Sequence, residues 1–363
     1  MVDVFAVDDT SIELCWPILA RGHHTVEVGD TTLDVVGADA PLATWVTGLP
    51  PGTALDVVVD GRRAARTRTL SPPPGRALAR VATISDLHIG DGWRFGKWPT
   101  LEHEDGADSS IIERCARAAL AEVAAWAPDL LVVKGDVTHH GTAAEWERAA
   151  PILAGAGVPT VATVGNHDVK LGPATGADAL AAHDIELVTG RVATRDLPGL
   201  RVVLADATLP SRHRGSFAEV GADILTAVGD APGPALLAVH HQLHRVPALV
   251  HWPPGILGGD RFIRAIAAAN PDTLATSGHT HRHRRRQVGT VVVTEVGSPK
   301  DHPGTWAGYV VHEGGIRQVV RRTTDPAVLD WTEQTARALF GMWGRWSPGR
   351  LRDRCFSHHW TSR

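Results

Sequence analysis

The chain has 363 residues, 43% of them hydrophobic, with 36 basic and 40 acidic side chains for a net charge of -4. That length exceeds one average domain and is long enough to bury a large core. Slight net acidity argues against a nucleic-acid-binding protein, and without an apolar run of about eighteen residues a transmembrane helix is not expected.

The opening residues, Met1-Val2-Asp3-Val4-Phe5, lack the basic start and apolar stretch of a secretory signal. Cys15, Cys115 and Cys355 are odd in number and far apart, which speaks against a disulfide framework and for buried small hydrophobes. A cytoplasmic protein is the expectation.

Residues 1–70 alternate short apolar runs, Thr25–Val28, Leu33–Val36 and Leu55–Val59, with turn signals such as Asp60-Gly61. This pattern predicts a small all-β sandwich. Ser71-Pro72-Pro73-Pro74-Gly75 then reads as a stiff linker, taken to extend over 71–79. From 80 to 324, β-branched runs at Arg80–Ser85, Leu130–Val133, Val158–Val164, Ala235–Val239, Thr273–Ser277 and Thr290–Thr294 predict strands. Helices are predicted between them. One runs from Ile111 to Trp126, opened by the capping box Ser110-x-x-Glu113 and closed before Pro128. The next span Thr142–Leu153 and Asp260–Ala269, the latter capped by Asp260 and stopped by Asn270-Pro271. Residues 325–363 form a helical tail whose apolar face carries Val328, Leu329, Ala336, Leu339 and Phe340, followed by Trp343, Trp346, Phe356 and Trp360. Such aromatics suit packing on a domain face or against a second copy of the chain, so a homodimer is a candidate assembly. The class is α/β (α+β), with a small all-β domain before the larger one.

Five islands at the predicted strand ends carry the chemistry: Asp86-Leu87-His88, Gly135-Asp136, Gly165-Asn166-His167-Asp168, His240-His241 and Gly278-His279-Thr280-His281. Carboxylates and an amide oxygen mixed with imidazoles suit Mn, Fe, Zn or Co, whereas an all-oxygen set suits Mg or Ca. Residues spaced as Asp86-x-His88 face one side of an extended chain, so that pair is expected to reach one ion, and the same spacing puts His279 and His281 on one side of their loop. Loops at the carboxyl ends of neighbouring strands converge on one crevice.

The order Asp-x-His, Gly-Asp, Gly-Asn-His-Asp, His, Gly-His-x-His resembles the calcineurin-like metallophosphoesterase superfamily over roughly residues 80–312. The resemblance implies a two-sheet β-sandwich flanked by helices and two divalent or trivalent metal ions. It implies Asp86, His88, Asp136 and His281 as ligands of one ion, and Asp136, Asn166, His240 and His279 as ligands of the other. His167, held by Asp168, is implied as the catalytic acid. Two ions about 3.5–4 Å apart would bridge a hydroxide that attacks phosphorus. The N-terminal unit is similar to a fibronectin type III-like module such as purple acid phosphatases carry.

A phosphodiesterase acting on a small phosphate ester is the leading expectation; a phosphomonoesterase (including a protein phosphatase), a nuclease and a non-catalytic scaffold are the alternatives. Bacterial cyclic-nucleotide-type enzymes of the superfamily commonly continue the fourth island with a second His and two prolines. Here the run is His240-His241-Gln242-Leu243-His244, which weakens that substrate analogy. His241 and His244 are candidate substrate contacts. So are Arg282, in the basic run His281–Arg286 that is otherwise read as a solvated edge strand, and Lys300, in the rim Gly297–His302. The long loop 89–109 starts at the first island and is expected to shape the pocket.

Overall fold

The computed structural model describes residues 2–90, 107–243 and 254–361. Most of the long loop expected to shape the pocket, and His244, lie outside the described residues. The N-terminal unit contains β1 (Asp3–Val7), β2 (Ser11–Leu19), β3 (Gly22–Val28), β4 (Thr31–Gly37), β5 (Ala40–Thr47), β6 (Ala54–Val59) and β7 (Arg62–Arg68). They pair as two antiparallel sheets, β1-β2-β5 and β4-β3-β6-β7, the sandwich that period-two patterning and turn residues prescribe.

The larger unit opens with β8 (Ala77–Ile84), α1 (Ala107–Trp126), β9 (Leu130–Lys134), α2 (Ala143–Ala154), β10 (Thr160–Thr163), α3 (Ala177–Ala181) and β11 (Glu186–Val188). It continues with β12 (Val192–Leu197), β13 (Leu200–Ala205), α4 (Gly221–Gly229), β14 (Ala235–Ala238), α5 (Gly259–Ala269) and β15 (Thr273–Ser277). It closes with β16 (Arg284–Val288), β17 (Val291–Glu295), β18 (Thr305–His312), β19 (Gly315–Arg322), α6 (Pro326–Thr335), α7 (Met342–Trp346), α8 (Leu351–Arg354) and β20 (Cys355–His359).

Two mixed sheets result, ordered β11-β10-β9-β8-β18-β19-β20 and β12-β13-β14-β15-β17-β16. Their central strands are buried on both faces, which is why they read as continuous apolar runs. Alternate residues serve different layers. Val81, Leu130, Val132 and Val161 face Leu236, Ala238, Leu274 and Val292 between the sheets. Ala82, Ile84, Leu131 and Val133 pack outward under α1 and α2, against Ile112, Cys115, Val123 and Trp146. Leu237, Ala275 and Val293 pack outward under α4 and α5, against Ile224, Val228, Ile263 and Ile266. Helix, sheet, sheet and helix thus stack as four layers, and every strand that precedes a chemical island ends at the same rim.

Several boundaries differ from expectation. Helix α1 starts at Ala107, placing Ser110 inside it, because a capping pattern is local and does not exclude an earlier start. Asp260 sits in the first turn of α5 rather than capping it; Gly258, in left-handed backbone at φ 73°, makes the turn. Asp260 there still complements the helix dipole. The linker ends sooner, since Ala77 already pairs with His312.

The tail is not simply helical. Helix α6, capped by Asp325 accepting from the Ala327 and Val328 amides, ends at Thr335, and Leu339 and Phe340 lie beyond it in left-handed backbone, exposed. The chain then finishes as β20, antiparallel to β19, burying Phe356 and Trp360 in the inter-sheet core. Edge pairing explains this: β19 would otherwise present an unpaired row of backbone groups. The N-terminal sandwich is docked on the same region. Asp8 pairs with Arg317 and Arg321 at 2.7 Å each, the Arg354 Nε donates to the Phe5 carbonyl at 2.8 Å, and Glu13 accepts from the Arg322 amide at 3.1 Å.

Candidate metal centre

The loops leaving β8, β9, β10, β14 and β15 bring Asp86, His88, Asp136, Asn166, His240, His279 and His281 together, all buried. They do not arrive as an extended chain would deliver them. Asp86, His88, Asp136, His279 and His281 all have left-handed backbone, with φ between 50° and 67°. A non-glycine residue held there costs about 1 kcal/mol or more, and such strain persists where surrounding structure enforces it. Same-side alternation in an extended segment is therefore not what aims Asp86 with His88, or His279 with His281; tight turns are. The island glycines make room for those turns. A Cβ on Gly165 would lie 2.2 Å from Asp136 Oδ1, and one on Gly278 would lie 2.5 Å from Asp86 Oδ2.

The donor set is tested by its hydrogen bonding. His240 Nδ1 lies 2.8 Å from the Lys134 carbonyl, a group that can only accept, so this nitrogen carries the proton. Its Nε2 then aims a lone pair at Asp136 Oδ2 (3.3 Å) and Asn166 Oδ1 (3.2 Å), both acceptors. His281 repeats the arrangement. Its Nδ1 is 2.5 Å from Asp301 Oδ2, and its Nε2 faces Asp86 Oδ1 at 3.3 Å and His88 Nε2 at 3.2 Å. Acceptors facing acceptors in a buried space call for a cation between them. In the bare protein only a second proton can supply it. Burial by itself would push both imidazoles down, yet Asp136 lifts His240 to about 9 and Asp86 lifts His281 to about 9.

Other groups say the same. Among the described residues His279 Nε2 and both ring nitrogens of His241 are buried with no hydrogen-bond partner, and ligand atoms of His240, His241 and His279 lie within 4.8 Å of one another. Those of Asp86, His88 and His281 form a second such group, and those of Asp86, Asp136 and His240 join the two. Burial, then the charge on His240, drives His279 down to about 3, so it presents a free lone pair. Burial would raise Asp136, but His240 and His167 hold its carboxyl well below the usual range. The residues present thus fit two neighbouring cations sharing Asp136.

His167 and Asp168 are placed differently from expectation. Asp168 does not hold the His167 ring; it accepts from the Thr138 amide and hydroxyl (2.8 and 2.7 Å), the Gly165 amide (2.8 Å) and the Val137 amide (3.2 Å). Its oxygens face amide donors because it closes the turns after β9 and β10 onto each other. The His167 ring is held instead by the His139 carbonyl, 2.8 Å from Nδ1, and its amide donates to Asp136 Oδ1 at 2.8 Å. A ring nitrogen of His167 lies within 4.8 Å of those of His88 and His139. Burial lowers the His167 pKa, with Asp136 partly opposing it.

Arg282 and Lys300 do not reach out as phosphate contacts. Arg282 Nε donates to Glu295 Oε2 at 2.6 Å, and Lys300 Nζ lies 3.3 Å from Asp301 Oδ2; both side chains are almost completely buried. The Gly297–His302 segment is accordingly not a rim but a support beneath the ligand loop, because Asp301 reaches His281 from it.

Sequence reasoning passed over Asp301, His139 and Glu295. The adjacent pair His139-His140 just after Gly135-Asp136 was a usable signal for His139; nothing local marks Glu295, which reaches Thr280 (2.7 Å) between two ligands only through sheet pairing. Asp301→Ala is expected to weaken metal binding about 10–100-fold, the usual effect of removing the partner that orients a ligating imidazole. Asp301→Asn, which keeps an acceptor, should lose less. Competition with a metal-binding dye measures this, and unchanged affinity in the alanine variant would show that His281 needs no such support.

A family profile described as calcineurin-like phosphoesterase matches residues 79–283. A probable cyclic nucleotide phosphodiesterase of a Synechococcus species is 24% identical over 205 residues, 56% of this chain and 73% of that protein. The 3',5'-cyclic adenosine monophosphate phosphodiesterase CpdA of Pseudomonas aeruginosa is 28% identical over 230 residues, 61% and 77% respectively. Among solved structures, a purple acid phosphatase from yellow lupin (Lupinus luteus) seeds spans 88% of this chain and 72% of its own at 13% identity, with a TM-score of 0.48.

Proposed function

We propose, from the premise that the chain belongs to the calcineurin-like phosphoesterase family, that this metal-dependent phosphoester hydrolase holds two ions and cleaves small phosphate diesters. The observation that carries the reading is the pair of acceptor-lined clefts meeting at Asp136. Asp86, His88, Asp136 and His281 would hold one ion; Asp136, Asn166, His240 and His279 would hold the other. Mn, Fe, Zn and Co suit this mixed oxygen and imidazole set. Bound there, such ions supply charge to neutralise a phosphate and to acidify a water.

The chain's own groups do the rest. Asp136 accepts the His167 amide, fixing where that ring starts, and the His139 carbonyl fixes which of its nitrogens carries the tautomeric proton. Nε2 of His167 is thereby the nitrogen that exchanges a proton with substrate. A protonated ring whose pKa burial has lowered is a stronger acid than free imidazole, and it hands its proton to the leaving alkoxide as the phosphorus–oxygen bond breaks. His241, without a hydrogen-bond partner among the described residues and beside His279, is a candidate contact to the substrate. Three unbridged, buried cysteines fit the reducing cytoplasm, and among the described residues no helix is long and apolar enough to cross a membrane.

Hydrolysis of bis-p-nitrophenyl phosphate beside p-nitrophenyl phosphate, after reconstitution in turn with Mn, Fe, Co and Zn, tests the reading. Diester preference is expected. Cyclic nucleotides come next because both curated relatives are named for them, although the Gln242-Leu243 continuation departs from that group's usual prolines. Preference for the monoester would overturn the diester reading in favour of a phosphatase.

A further inference from the structure

The basic run that follows the last ligand has a setting of its own. Strand β16 is the edge of the second sheet, and the C-terminal segment folds against it through α8. Between them is a cavity of about 460 Å³ lined by Arg284, Arg285 and Arg286 of the strand and by Arg345, Arg350 and Arg352 of the tail. None of the proposed metal ligands lines it. Asp353 is the one carboxylate among its lining residues.

Arginines usually reach a folded surface with a partner or with open water around them. Here three are half-buried in a row, Arg285 resting 4.0 Å over the Phe356 ring, and among the described residues Arg284, Arg286, Arg345, Arg350 and Arg352 make no ion pair. Arg284 is pulled below its ordinary pKa by burial and then by the charges of Arg286 and Arg282. Of the two carboxylates near Arg284, Glu295 is already engaged by Arg282 and Thr280, and Asp353 accepts from the Arg350 amide at 3.0 Å. Guanidinium groups pair bidentately with phosphate oxygens, so several arginines lining one cleft match a chain of phosphates rather than one. The volume lies within the range of small-molecule sites, roughly 300–1,000 Å³, and is far short of a nucleic-acid groove. Trp346, 38% exposed and stacked against Arg282 at 4.5 Å, lines the cavity beside these charges.

We propose that the cleft between β16 and the C-terminal segment binds a small polyphosphate anion at a site separate from the metal centre. The ligand class is a run of two or more phosphates, whether inorganic or carried by a nucleoside.

Calorimetric titration with inorganic tripolyphosphate, ATP and orthophosphate tests this, using the wild-type protein and the Asp136→Asn variant, in which the metal centre is disabled. Tripolyphosphate should bind Asp136→Asn with one site per chain and far more tightly than orthophosphate. ATP bound more tightly than tripolyphosphate would identify a nucleoside-borne ligand, and the reverse an inorganic one. Arg345→Ala/Arg350→Ala removes two exposed side chains, so folding is not at stake, and should weaken tripolyphosphate binding at least about tenfold while leaving diester hydrolysis unchanged. Arg286→Ala should do the same from the strand side. Unchanged affinity in both variants, loss of binding in Asp136→Asn alone, or no preference for tripolyphosphate over orthophosphate would each overturn the proposal.

Discussion

Asp136→Asn is expected to lower both metal content and activity, with hydrolysis falling by about a thousandfold or more, since charge stabilisation at two metals accounts for several kcal/mol of barrier. The reason lies in its position. Oδ2 is 3.3 Å from His240 Nε2 and 3.7 Å from His88 Nε2, so one oxygen addresses both halves of the centre. An amide keeps an acceptor for the His167 backbone but removes the charge that the two proposed cations would require. The substitution is nearly isosteric at a buried site, so a folded protein with fewer than two ions per chain is the anticipated product. Elemental analysis and diester turnover on the same preparation decide it. Two retained ions with activity within about tenfold of wild type would show that Asp136 does not link the sites.

His167→Ala separates chemistry from metal binding. Its ring is anchored by a carbonyl of the chain rather than by a proposed ligand, so both ions should stay while turnover falls about 10²–10⁴-fold, the usual contribution of a positioned general acid. The loss should depend on the leaving group. p-Nitrophenolate departs with little help, so bis-p-nitrophenyl phosphate should suffer less than a diester with an alkyl leaving group. An equal loss on both substrates would move His167 from proton donor to phosphate binder. An emptied centre would make it a ligand.

The metal-ligand candidates and the strands beneath them were legible because their signals are local. Doubly buried strands leave unbroken runs such as Leu130–Val133, and turns at their ends need glycine beside the ligand, as at Gly135, Gly165 and Gly278. The tail illustrates the opposite case. Cys355–His359 has no decisive strand pattern, and only the open edge of β19 makes it one.

What the chain determined by itself was the inventory and its order: which residue types stand at which strand ends, and hence the family and its chemistry. Spacing along a chain encodes periodicity and turn preference, which is enough for that. Tertiary structure alone decided who supports whom. Asp301 behind His281, the His139 carbonyl behind His167, Asp168 tying two turns together and the arginines gathered around one cleft all join residues from separate loops or from the chain's far end. Contacts of that kind are set by how the two sheets stack and where the C-terminal strand closes, and no local pattern in the sequence carries them.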